Sequence, residues 1–103
     1  PAITSPAPGT ALSGSTVTFT WAANGVSVSE WWLWAGPCNS AVFGGCGDDI
    51  YTSGSLSSGT LSRAVSGLPT NGSTVYVRLW YKTGGVWQSN VFQYTAYTGG
   101  GGG

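Results

Sequence analysis

The sequence predicts an all-β fold, an antiparallel β-sandwich, on three observations. Apolar and polar residues alternate in short runs, turn signals rich in glycine and asparagine separate those runs, and no segment carries a helical repeat. About seven short strands at this spacing suffice for two packed sheets. At 103 residues the chain has room for one core and one domain. The sandwich is expected over residues 1–98, and the glycine run at 99–103 reads as the remnant of a flexible linker to another domain.

A short opening strand is expected near Ala2 to Ser5, followed by a corner at PAPG, 6–9. In TVTFTWAA, 16–23, the residues Val17, Phe19 and Trp21 face the core and the threonines between them face solvent. Asn24-Gly25 then turns the chain where positive φ costs little. EWWLWAG, 30–36, holds three tryptophans in four positions, and a strand cannot place them all on one side. Val28, Trp31, Leu33 and Ala35 make the inward series, because the opposite choice buries Glu30; Trp32 and Trp34 therefore point outward.

DIYTSG at 49–54 and SRAVSG at 62–67 are read as shorter strands, with Arg63 a solvated charge. LPTNG, 68–72, leads into TVYVRLWYK, 74–82. Turning Tyr76, Arg78, Trp80 and Lys82 inward would bury two cations with no carboxylate in the strand to pair them. Val75, Val77, Leu79 and Tyr81 are therefore the inward set. Gly84-Gly85 is a hairpin signal, Trp87 falls at the rim after it, and SNVFQYTAY, 89–97, is the last strand.

Composition narrows the function. Only 6% of residues are charged, against about 25% in an ordinary globular domain. Three bases balance three acids, so no basic field exists to hold nucleic acid or an anionic membrane. No apolar run approaches the roughly 20 residues of a membrane helix. With no histidine, and with Glu30, Asp48 and Asp49 as the only carboxylates, no pair is evident that could sit about 5 to 10 Å apart across a glycosidic bond. No catalytic residue and no cofactor is expected. Asp48 and Asp49 beside glycine carbonyls are a conceivable calcium site, but a turn with Asx hydrogen bonds is the simpler reading, and no metal is expected.

Cys38 and Cys46 lie eight positions apart in CNSAVFGGC, without the further cysteines or histidines a zinc site needs. A disulfide is expected, which implies an oxidising, extracellular setting. Two buried thiols in a cytosolic chain are the alternative.

TVTFTW, WWLWAG, DDIY and VSGLPTNGSTVYVRLWYKTGGVWQSNVFQYTA together resemble the immunoglobulin-like or fibronectin type III-like modules of secreted bacterial proteins, of the kind appended to polysaccharide-degrading enzymes. The likeness spans nearly the whole chain before the glycine tail. It implies that the 30–36 strand pairs with the 74–82 strand, with the hairpin partner beyond. Trp32 and Trp34 would then lie beside Tyr76, Arg78 and Trp80, with Trp87 at the rim. The function expected from such a face is that of a non-catalytic carbohydrate-binding module, monomeric and secreted. It would hold a linked catalytic domain on a β-linked polysaccharide, cellulose or chitin, with Arg78, Gln88 and Asn90 as hydroxyl donors. Two alternatives stand beside it. The aromatic and arginine residues can be a cross-strand ladder in a structural spacer or adhesin-type module, and Tyr76 can be a corner tyrosine turned into the core.

Overall fold

The computed structural model describes residues 1–39 and 46–98. The glycine run 99–103 and the centre of the cysteine loop lie outside the described residues. Eight strands are present among the described residues: β1 (Ala2–Ser5), β2 (Val17–Ala22), β3 (Glu30–Gly36), β4 (Tyr51–Thr52), β5 (Leu56–Ser57), β6 (Ser62–Val65), β7 (Thr74–Thr83) and β8 (Val86–Thr95), with a 3₁₀ turn at Cys46–Asp48. All strand pairs between them are antiparallel. One sheet runs β1-β2-β6. The other runs β4-β3-β7-β8, with β5 also on β3. The two antiparallel sheets make a β-sandwich.

Alternation decided the inner faces as expected. Val17, Phe19 and Trp21 from β2 meet Trp31, Leu33 and Ala35 from β3 and Val75, Val77 and Leu79 from β7, all buried. Trp21 and Trp31 pack with ring centroids 5.9 Å apart, and Phe19 meets Tyr94 edge-on at 5.4 Å. Each core indole also reaches an acceptor: Trp21 Nε1 donates to the Thr60 carbonyl and Trp31 Nε1 to the Ser58 carbonyl, both at 3.0 Å. A buried N–H left without a partner would cost about 1–3 kcal/mol, so these bonds also fix the turn at 58–60 against the core.

Three local features go beyond the sequence reading. The two-residue strand β5 carries too little pattern to be seen in sequence. Strand β8 starts at Val86 rather than 89, because Gly84 and Gly85 take φ of 59° and 79°, a tight two-residue turn that lets pairing begin at Thr83 and Val86. Arg63 is exposed, as expected, and has a partner besides solvent. It lies opposite Phe19, hence on the inner side of the edge strand β6, and its Nε donates to the Tyr51 hydroxyl at 2.8 Å, bridging to the other sheet.

At the opposite edge, residues 9–12 run along β8. Gly9 and Leu12 N–H groups donate to the Gln93 and Thr95 carbonyls at 2.8 Å, and Thr95 N–H donates to the Thr10 carbonyl at 3.1 Å. Tyr94 takes the place of a buried tyrosine at this end: it is 1% exposed and its hydroxyl donates to the Pro6 carbonyl at 2.9 Å. Burial raises its phenol above the ordinary tyrosine value. Tyr76 stays half-buried on the outer side, so it is not the corner residue.

Candidate functional site: the outer face of the five-stranded sheet

Register places four rows of side chains across β3, β7 and β8 on the outer face. They are Glu30, Lys82 and Trp87; Trp32, Trp80 and Ser89; Trp34, Arg78 and Val91; and Gly36, Tyr76 and Gln93. The six aromatic and arginine residues singled out from sequence, Trp32, Trp34, Tyr76, Arg78, Trp80 and Trp87, are thus on one side of one sheet. The charge argument that turned Arg78 and Lys82 outward is what assigned them there. Gln88 and Asn90 are on the other side. They share parity with Tyr81 and Leu79, and Asn90 Nδ2 donates to the Pro1 carbonyl at 2.7 Å. Neither can add a donor to this face; alternation beyond the two-residue turn reverses their expected side.

The two ends of the face are built differently. At the Gly36 end a wall stands on the sheet. A Cβ at residue 36 would collide with the carbonyl oxygens of Cys46 and Gly47. Since residue 36 shares outward parity with Trp34, the Cys46–Asp48 turn lies over the outer side. The Cys38–Cys46 disulfide, with Cα atoms 5.7 Å apart, ties that turn to the end of β3. Asn39, next to the disulfide, also folds over the face, and its Oδ1 accepts from Arg78 Nη2 at 2.6 Å.

Arg78 is held from both sides, since its Nη1 donates to Ser89 Oγ at 2.8 Å, and its Cζ lies 5.9 Å from the Trp80 ring centroid. Burial lowers its pKa from the ordinary arginine value, though guanidinium stays protonated at any working pH. Trp34 packs edge-to-face with Trp80 at 5.0 Å and 66°. At 3% exposure it departs from the expectation of a solvent-facing platform residue and acts as a support beneath Trp80. Trp80 Nε1 and Arg78 Nε are buried with no acceptor among the described residues.

The other end is open. Trp32 and Trp87, both half-buried, meet at 6.1 Å with their planes 80° apart. Trp32 Nε1 donates to Thr52 Oγ1 at 2.7 Å, which anchors the indole to β4. Lys82 Nζ lies 6.0 Å from the Trp87 ring centroid and 3.3 Å from Glu30 Oε2. Ser55 Oγ donates to the other Glu30 oxygen. The Ser55 hydroxyl, and then the Lys82 ammonium, hold the Glu30 carboxyl below its usual pKa. Thr52, Asn39, Ser55 and Lys82 are site residues that the sequence reading did not single out. Lys82 was legible from its parity with Trp80, whereas the other three reach the face from separate segments and carried no local signal.

What this arrangement offers chemically is indole surface beside a small set of hydroxyl, amide and charged groups. Among the described residues no three of His, Cys, Asp and Glu come close enough to hold a metal ion. No helix among them is long and apolar enough to cross a membrane. Comparison with known families, curated proteins and solved structures finds no match to this chain.

Proposed function

We propose that the domain is a non-catalytic carbohydrate-binding module that holds a linked catalytic domain on a neutral β-linked polysaccharide, with cellulose and chitin the favoured polymers. The observation that carries this reading is the open end of the outer face, where Trp32 and Trp87 keep part of their rings in solvent beside Glu30, Lys82 and Thr52. Pyranose rings present C–H faces that pack on indole, while their equatorial hydroxyls remain free to hydrogen-bond at the rim. A charge-poor surface suits an uncharged polymer. The Cys38–Cys46 disulfide supports an oxidising, secreted setting, and the module would act as a monomer by raising the effective concentration of its linked enzyme at the substrate.

The competing reading is a structural spacer whose outer aromatics are only a sheet ladder, and the burial of Trp34 favours it for that half of the face. The two separate in a pull-down on acid-swollen cellulose, colloidal chitin, xylan and mannan with the wild type and the Trp32→Ala/Trp87→Ala variant, its fold checked by circular dichroism. Depletion of the wild type by at least one polymer, lost in the folded variant, is the expected result. Full recovery of the wild type from every polymer leaves only the spacer.

A further inference from the structure

Resting on the carbohydrate reading, we infer that the face takes a single solvated glycan chain, about two sugar units at a time, and does not dock on a crystalline polysaccharide surface. Two planes 80° apart cannot both lie parallel to one flat surface, so at most one of Trp32 and Trp87 can stack on a crystal face. The same holds for Trp34 and Trp80 at 66°, and Trp34 is in any case buried. The face is therefore built of rings set at steep angles to one another. A planar array of polymer chains would touch little of it.

The wall sets one limit of the accessible face. The Cys46–Asp48 turn stands over Gly36 on the side that carries the tryptophans, and Asn39 reaches over Arg78. What remains accessible is bounded along the strands by the wall on one side and the Gly84-Gly85 turn on the other.

A chain can cross that space from β3 over β7 to β8. Three strands at about 4.8 Å spacing span roughly 10 Å, on the order of the length of a disaccharide. In this position one sugar ring lies on an exposed indole face, and the Glu30 carboxylate and Lys82 ammonium are placed to accept from and donate to its hydroxyls. Both charged side chains are partly exposed, at 38% and 32%.

The experiment is a titration of the full chain with soluble cello- and chito-oligosaccharides of two to six units, followed by tryptophan fluorescence and calorimetry. Beside it, depletion is measured on microcrystalline and acid-swollen forms of cellulose and chitin, with and without the soluble hexasaccharide. The expected outcome is affinity that gains less than about threefold beyond three units. Binding to the swollen polymer should exceed that to the crystalline one at equal accessible surface, and the hexasaccharide should displace it. Trp87→Ala should weaken oligosaccharide binding at least tenfold. Binding to the crystalline form that soluble hexasaccharide does not displace overturns the inference and leaves the carbohydrate reading standing, as does affinity that keeps rising through six units. Absence of binding to every oligosaccharide and both solid forms overturns the carbohydrate reading itself.

Discussion

Trp34 and Trp32 sit two residues apart on the same side of β3, yet one is 3% exposed and the other keeps a half-open ring. Each has a tryptophan partner set at a steep angle, Trp87 from β8 for Trp32 and Trp80 from β7 for Trp34. What differs is their place along the strand: Trp34 lies next to the end where the disulfide-tied turn stands over Gly36, and Trp32 lies toward the other end. Strand position decides which side a residue faces, and a loop from elsewhere decides whether that side is core or surface. The walled end of this face is a second, smaller core, and the open end is what a ligand can reach.

The sharpest test of that division is a pair of substitutions. Trp34→Ala removes an almost fully enclosed ring and is expected to destabilise the domain by about 3–5 kcal/mol, as a core tryptophan would. Trp87→Ala should cost about 1 kcal/mol or less. Equal shifts in the urea midpoint for the two variants would break the comparison. Next in size is Gly36→Ala. Its Cβ would displace backbone carbonyls of the turn rather than a yielding side-chain tip, so the cost expected from overpacking is about 1–3 kcal/mol. The accompanying signature is stronger quenching of tryptophan fluorescence by acrylamide, as the wall lifts from Trp34; an unaltered melting curve would mean that the turn does not press on the strand.

The smallest effect belongs to the open end. The Glu30 carboxyl has its folded pKa lowered by Ser55 and Lys82, so its contribution to stability is present above the unfolded value of 4.5 and lost as pH falls through the folded one. Glu30→Gln should therefore flatten the acid side of the stability profile slightly and leave neutral-pH stability almost unchanged, because exposed ion pairs contribute little. A large loss for this variant at pH 7 would show the open end to be structural after all.

Much of this architecture was legible in the sequence, and for identifiable reasons. Alternation in 16–23, 30–36 and 74–82 fixed the inner faces, and the expense of burying Glu30, Arg78 and Lys82 chose between the two parities. The closing hairpin was marked by Gly84-Gly85, although where its second strand begins was not. The burial of Trp34 could not be read, because alternation gives the side a residue faces and not what lies over it, and the direction in which a crosslinked loop folds over the sheet is encoded by no local pattern. Arg63 is exposed as expected, but its bond to the Tyr51 hydroxyl was not legible, because that partner comes from the other sheet.

That arginine has a consequence beyond the fold. Strand β6 is four residues long and lies at the margin of its sheet, where unpaired backbone groups would offer other copies of the chain a template to extend. A cation with inward parity at mid-strand, exposed and bonded to a phenol of its own molecule, would lose solvent and that partner if a foreign strand packed there. A leucine at residue 63 would keep the sandwich and remove this barrier, so the price of a single awkward charge is set against the propensity of concentrated modules to aggregate through their edges.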